Sequence, residues 1–297
     1  MTEQPTDPSS SLRLQRRTQQ RQRLAEKAAT SRIADVLRDG AVPWKNAVLH
    51  DANAGLPLDI ATGKPFTPVT TLLLQVASQK NNFVGRWWGD LDGWTQFGSA
   101  VGQDCEPTIA YDDEWDTVSY WCIDQVVGEK VDHLRVHDFS IVTDDTANFS
   151  RIDRLVNATA ADIRVGDGDE NNPPTWNGYV PPNPWIAFPQ HVVGDYILLR
   201  SLDGGSSEFF TLLHELIHWA EVRTEFMCFD MATRELVAEI GSGWLATELA
   251  CPPCPCPLNH DKWLPSWLEA KKRDVACIAK AADQARKAVE FILSFDA

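Results

Sequence analysis

Residues 206–249 read SSEFFTLLHELIHWAEVRTEFMCFDMATRELVAEIGSGWLATEL and decide the fold of the second half of the chain. In the first part of this stretch, apolar residues recur at helical spacing after Ser206, which can cap a helix. Apolar residues recur with the same period from Leu236 to Leu245. The stretch therefore predicts two amphipathic helices, each with one face against a core.

The first of these helices contains His214, Glu215 and His218, an H-E-x-x-H motif. Two histidines at i and i+4 project from one helical face, about 6 Å apart at Cβ, and can share one Zn²⁺. Glu215 is then aimed at the open metal position, where it can take a proton from bound water. The alternative is two surface histidines with a charged neighbour, but the core-facing stripe argues against it because unpaired buried polar groups are costly.

A third metal ligand is expected from the second helix, where Glu235 and Glu239 also share a face. One carboxylate can bind the metal while the other orients a histidine. A ligand glutamate followed four residues later by a supporting carboxylate resembles the thermolysin-like arrangement. By that comparison Glu235 is the ligand and Glu239 supports a histidine; the reverse order and two solvated carboxylates stay open.

Two further candidates follow the second helix. His260 comes just before an apolar stripe that predicts one long helix from about Pro265 to Phe295. This histidine can donate a hydrogen bond to a tetrahedral oxyanion, or simply cap the helix or lie at the surface. A C-x-x-C-x-C run could bind a second metal or oxidise, although no fourth ligand is evident; it consists of Cys251, Cys254 and Cys256.

Composition restricts the class of protein. The 297 residues are 43% apolar and 23% charged, with a formal charge of −15, which argues against a bulk nucleic-acid binder. The stretch from Asp104 to Asp145 holds 12 acidic residues and 2 basic ones, and the only basic stretch runs from Arg13 to Arg38. No apolar run of 18 residues and no secretory signal is found, so we expect a cytoplasmic protein with reduced thiols and no membrane partner.

The N-terminal half offers candidate nucleic-acid contacts. Residues 1–24 predict a disordered or loosely helical basic tail, which is either plainly solvated or contacts phosphates. A helix should then start at Thr30 or Ser31 and end at Gly40. Trp44 can stack on an unpaired base, although core packing is the commoner use of tryptophan. The candidate phosphate contacts are Arg13, Arg16, Arg17, Arg21 and Arg23.

The remaining pattern predicts an α+β protein of two domains, a mixed α/β one followed by a mainly helical one. We expect a boundary near residues 143–145, a helix over Ile152–Ile163 and a loop over residues 166–184. Strand candidates are Thr108–Tyr111, Val118–Ile123, Leu134–Val136, Ile186–Phe188 and Tyr196–Leu199.

Several separated motifs together resemble the ArdC-type antirestriction proteins of plasmids and phages. In the C-terminal half these are residues 161–164, 195–197, 213–219, 235–239, 260–268 and 281–292. In the N-terminal half they are weaker and include GAVPW at 40–44 and TGKPF at 62–66. The chain departs from the family at Gly102–Glu106, which reads GQDCE where the family has a basic glycine-rich turn.

The resemblance implies a protein of a mobile element that protects incoming DNA from host restriction. Its domains would be the tail at 1–24, a single-stranded-DNA-binding domain at 25–143 and a zincin-like metallopeptidase domain at 146–297. The expected partners are single-stranded DNA, bound weakly, and a host restriction enzyme or other protein substrate. A different class stays open: a non-enzymatic acidic inhibitor of a DNA-binding restriction enzyme, in which the zinc is structural. DNA binding alone is a third hypothesis, and it would need a basic groove.

Overall fold

The computed structural model describes residues 8–45, 48–143, 146–166, 177–181, 194–200, 206–225, 230–251 and 260–296. The strand predicted at Ile186–Phe188 and the thiols of Cys254 and Cys256 lie outside these ranges. The limits predicted for the domains, at 1–24, 25–143 and 146–297, stay predictions. No helix among the described residues is both long and apolar enough to cross a membrane.

In its described residues, the N-terminal half combines three α-helices with short strands. Its helices are α1 (Pro8–Arg38), α2 (Pro68–Asn81) and α3 (Leu91–Phe97). Its strands are β1 (Leu58–Asp59), β2 (Trp87–Gly89), β3 (Ala100–Val101), β4 (Thr108–Tyr111), β5 (Thr117–Cys122) and β6 (Val126–Val127). One sheet has the order β1-β2-β5-β4, with β1 parallel to β2 and the other pairs antiparallel. Strands β3 and β6 form a separate antiparallel pair.

The C-terminal half is mainly helical. Its helices are α4 (Thr146–Thr159), α5 (Ser206–Arg223), α6 (Met231–Glu248), α7 (His260–Arg273) and α8 (Cys277–Leu293). Its strands are β7 (Ile163–Val165), β8 (Gly178–Val180) and β9 (Tyr196–Leu199), in the order β7-β9-β8. Helix α5 packs between this sheet and α6, and α8 packs against both α5 and α6. The predicted α+β architecture of two domains is confirmed.

Three predicted strands are present with bounds within one residue: β4, β5 and β9. The strand predicted at Leu134–Val136 is wrong. The chain from Glu129 to Leu134 forms a 3-10 helix, and the Arg135 N–H donates to the carbonyl of Asp132 rather than to a neighbouring strand. The helix predicted over Ile152–Ile163 is present as α4, displaced towards the N-terminus.

Helix α1 differs from its prediction because it starts at Pro8 and runs through the segment expected to be a tail. Gln, Arg, Leu and Ala are good helix formers, so the segment extends the helix rather than ending before it. Thr30, predicted as a cap, is wholly buried, and its hydroxyl accepts a hydrogen bond from the Ala279 N–H in α8.

Two other predictions are corrected in the C-terminal half. The single helix expected from Pro265 to Phe295 is two helices, α7 and α8. At their junction the Asp274 carboxylate accepts a hydrogen bond from the Ala276 N–H and forms an ion pair with Lys280. The loop expected over residues 166–184 contains strand β8, which pairs antiparallel with β9.

The two halves share one core. Trp244 of α6 is wholly buried and donates its indole N–H to Gln75 of α2 at 2.9 Å. Its neighbour Gly243 allows the chain at Trp44 to approach, since a Cβ there would lie 2.4 Å from the Trp44 carbonyl oxygen. Residues from the N-terminal half therefore reach the helix that contributes glutamates to the site described next.

Candidate metal centre

His214, His218 and Glu235 converge in the core between α5 and α6. Their donor atoms all lie within 4.8 Å of one another. The Nε2 atom of His214 is 3.5 Å from one oxygen of Glu235, and the Nε2 atom of His218 is 3.8 Å from the other. The histidines are one helical turn apart and face α6, so both Nε2 atoms point towards the same carboxylate.

A carboxylate that the sequence analysis missed stands behind His218. Glu221 is 1% exposed, and its Oε2 atom is 3.0 Å from His218 Nδ1. The same oxygen accepts from Nε and Nη2 of Arg234, each at 3.0 Å. The signal was present in the sequence, because Glu221 is three residues after His218 and therefore on its side of the helix.

Glu239 occupies the corresponding place behind His214. Its Oε1 atom is 3.9 Å from His214 Nδ1, and its side chain is 1% exposed. Its Oε2 atom is 3.2 Å from the ammonium of Lys45, which comes from the N-terminal half. Burial raises the pKa of Glu239, although the nearby charges of Lys45 and His214 act in the opposite direction.

Glu215 lies beside this cluster and is held by strand β8. Its Oε2 atom accepts a hydrogen bond from the Tyr179 backbone N–H at 2.7 Å. The Tyr179 hydroxyl donates to Asp195 at 2.9 Å, and Arg223 forms two hydrogen bonds to the same carboxylate. Burial, followed by the charge of Asp195, raises the pKa of Tyr179. No pattern in the sequence pointed to Tyr179, because its strand is three residues long and follows a run of Gly, Pro and Asn.

The centre holds more negative than positive charge. Its buried or half-buried carboxylates are Glu215, Glu221, Glu235 and Glu239. The cations that contact them are Lys45 and Arg234. Burial lowers the pKa of His214, but the surrounding glutamates outweigh burial and the pKa reaches about 9. The surplus of carboxylates over cations and the converging nitrogen and oxygen donors suit a bound divalent cation.

Other predicted residues are placed differently. Trp44 is wrong as a base-stacking residue, because it is 1% exposed and its ring packs edge-on against Trp267 at 6.4 Å. His260 is the first residue of α7, but its side chain lies outside the described residues. Cys251 is buried, and burial raises the pKa of its thiol to about 12.

The basic residues of the arm lie on α1. Arg16, Arg17 and Arg23 are exposed there, and Arg13 is on the same helix with its side chain outside the described residues. Arg21 forms an ion pair with Asp116 in the acidic turn between β4 and β5. One of the five predicted phosphate contacts is therefore engaged within the molecule.

Comparison with known proteins covers both halves of the chain. Residues 19–135 match the family described as the N-terminal domain of anti-restriction factor ArdC, and residues 150–284 match the zincin-like metallopeptidases. None of the curated proteins matches the chain.

Solved structures match over almost the whole chain. The metal-free crystal structure of the antirestriction ArdC protein from the R388 plasmid has a TM-score of 0.67 at 20% identity, over 91% of this chain and 97% of that one. The Mn(II)-bound structure of the same protein has a TM-score of 0.66 at 21% identity, over 92% and 98%. At this identity the likeness shows a shared fold, and the resemblance stated from the sequence is confirmed.

Proposed function

Because its two halves belong to the ArdC N-terminal-domain family and the zincin-like metallopeptidase family, we propose that this chain is an antirestriction-type protein with metal-dependent peptide hydrolase activity. The observation that carries the proposal is the convergence of His214, His218 and Glu235 beside Glu215. The substrate would be a protein, a host restriction enzyme being the class that the family name suggests.

The proposed metal ligands are Nε2 of His214, Nε2 of His218 and the carboxylate of Glu235. Two histidines and one carboxylate form a donor set of catalytic zinc sites, so Zn²⁺ is the ion we propose. Mn(II), present in the R388 ArdC structure, is the alternative ion to test. Glu221 would orient His218 and Glu239 would orient His214 through their Nδ1 atoms, as carboxylates do around metal-bound histidines.

When bound, the metal supplies Lewis-acid chemistry, lowering the pKa of water and polarising the scissile carbonyl. The remaining steps are assigned to side chains. Tyr179 N–H holds Oε2 of Glu215, and Oε1 is the atom proposed to take a proton from water. Glu215 would then return that proton to the leaving amine nitrogen. His260 is proposed as a hydrogen-bond donor to the oxyanion.

Strand β8 offers a place for the substrate backbone. In the described part of the sheet it is an edge strand, and it is the strand that contacts Glu215. An extended peptide that adds to such an edge gains main-chain hydrogen bonds. This arrangement would place the scissile bond beside the proposed base.

The test combines metal analysis with a cleavage assay. After reloading with Zn²⁺, we expect close to one ion per chain in the wild type, none in His214→Ala or His218→Ala, and wild-type content in the exposed control His133→Ala. Glu215→Gln should keep the metal and the fold but lose hydrolysis of an unfolded protein substrate, because it removes only the base.

Two results would redirect the interpretation. A reloaded wild type without metal would contradict the proposed site. The second result is a protein that binds one metal ion per chain but hydrolyses no substrate. If the wild type and Glu215→Gln then inhibit a restriction enzyme equally, the non-enzymatic acidic inhibitor is favoured.

A further inference from the structure

Among the described residues of the N-terminal half, Lys45 brings its ammonium group to the centre. This nitrogen is enclosed by protein and lies 3.2 Å from Oε2 of Glu239. In the part of the chain that the structure describes, neither oxygen of Glu239 accepts a hydrogen bond, so the ion pair with Lys45 is the contact that orients this carboxylate. We propose that Lys45 is a positioning residue of the metal centre, which holds Glu239 behind His214.

The backbone that carries Lys45 is fixed against the C-terminal half. Gly243 follows Glu239 by four residues on α6 and therefore lies on the same face of the helix. Its missing side chain leaves room for the Trp44 carbonyl oxygen, which a Cβ would meet at 2.4 Å. Trp44 itself packs against Trp267 of α7. The close approach of the backbones at Trp44 and Gly243 thus places the Lys45 ammonium beside the Glu239 carboxylate.

The geometry forms a chain of three groups that ends at a proposed ligand. Lys45 contacts Glu239 at 3.2 Å, and Glu239 lies 3.9 Å from Nδ1 of His214. The opposite ring nitrogen of His214 faces Glu235. Without Lys45 the carboxylate would lose the group that sets its direction, and the imidazole would lose its support. This inference rests on the proposed metal function, since only a bound ion makes the direction of His214 matter.

The experiment compares Lys45→Met with Lys45→Arg and with the control Lys271→Met. Lys271 also joins the two halves, since it donates to Ser31 of α1 from α7, but it does not contact the metal centre. The readout is the Kd for Zn²⁺, measured by competition with a chromophoric chelator, alongside circular dichroism of the metal-free protein. Lys45→Met should weaken binding on the order of 10–100-fold, as loss of a supporting group usually does. Lys45→Arg and Lys271→Met should stay near the wild type.

A second background separates positioning from general stability. In Glu239→Gln protein, Lys45→Met should change the Kd little further, because the carboxylate on which Lys45 acts has already been removed. A merely structural lysine would instead give the same loss in both backgrounds. If Lys45→Met alone fails to fold, two other proteins replace it in the measurement of the Kd. One is Lys45→Arg, and the other is the double variant Lys45→Met with Glu239→Gln, which contains no uncompensated charge at this pair.

The possible outcomes are distinct. Folded Lys45→Met that binds Zn²⁺ as tightly as the wild type, or an equal loss in both backgrounds, would overturn the role of Lys45. A wild type that binds no Zn²⁺ would overturn the proposed function itself.

Discussion

Glu221 and Glu215 lie on the same helix but in opposite electrostatic settings. Glu221 shares one oxygen between His218 and Arg234 and is nearly inaccessible. Glu215 has a backbone N–H as its partner and faces the cluster of donors. The first setting suits a group that holds a histidine in place, and the second suits the proposed base.

Substitution of the glutamates should rank them by their distance from the metal. Glu235→Ala should weaken Zn²⁺ binding most, because it removes a proposed ligand. Glu239→Ala and Glu221→Ala should each raise the Kd by roughly 10–100-fold, because they remove support for a histidine. The chelator competition described above measures all three. A larger loss in Glu239→Ala than in Glu235→Ala would reverse the order of ligand and support.

At the scale of residues, sequence spacing identified the side chains that share one helical face. It did not identify the side chains that other segments of the chain bring to the centre. The pairing of His214 with His218 could be predicted because helical periodicity fixes their directions. Glu235, on the next helix, was expected from the resemblance to the thermolysin-like arrangement. Lys45 and Tyr179 could not be predicted, because they come from segments more than 30 residues away in the chain whose position depends on tertiary packing. Trp44 was misassigned for the same reason, since burial of an aromatic ring depends on its partner.

At the scale of elements, helix α6 begins at a well-defined cap. The Asp230 carboxylate accepts hydrogen bonds from the backbone N–H and the hydroxyl of Thr233, and it pairs with Arg273 of α7. The hydrogen bond from the Thr233 hydroxyl, followed by its backbone N–H and the charge of Arg273, lowers the pKa of Asp230. The cap therefore links the start of the glutamate-bearing helix to α7.

Asp230→Ala should lower the free energy of unfolding by about 1 kcal/mol at neutral pH, as loss of a helix cap does. Because the folded pKa lies below the unfolded one, this charge-linked stability is present above the unfolded aspartate pKa of about 3.9 and is lost as the pH falls through the folded pKa. Urea unfolding from pH 7 to pH 3 measures the difference. The exposed carboxylate Asp153 supplies the control variant Asp153→Ala, and a gap between Asp230→Ala and wild type that widens in acid would contradict the assignment.

Elements were predictable where their pattern was local. Strand β4 was predicted to the residue because Thr, Ile and Tyr are residue types that favour strands. Strand β8 was hidden in a run typical of loops, and it exists because it pairs with β9. The break between α7 and α8 was missed because the apolar stripe continues across it while Asp274 ends the first helix.

At the scale of the whole molecule, positive charge is concentrated on the exposed face of α1 and is opposed by the acidic turn that holds Arg21. A chain of net charge −15 should bind DNA only through such a local patch. The turn at Gly102–Glu106 points the same way, because it contains two acidic residues and no basic residue.

Binding to single-stranded DNA should be weak and salt-sensitive. Changing Arg16, Arg17 and Arg23 to Gln should reduce the slope of log K against log salt by about 0.7 for each phosphate that the protein no longer neutralises. A salt titration with labelled single- and double-stranded oligonucleotides measures this slope. The control changes a basic cluster at the end of α7 to Gln: Lys271, Lys272 and Arg273. Tight binding that survives physiological salt in the α1 variant would reveal a basic groove elsewhere.

The hydrogen bond from the Ala279 N–H to Thr30 has a consequence for biosynthesis. It joins residues 249 positions apart, and it lies in the buried contact between α1 and α8. Contacts of such long sequence separation form slowly, because closing the loop between the two residues costs chain entropy before the contact stabilises. Helix α1 can pack against α2 early in synthesis, but the part of its face that α8 covers stays exposed until the last helix has been synthesised. The core can therefore be completed only after α8 has been synthesised and docks.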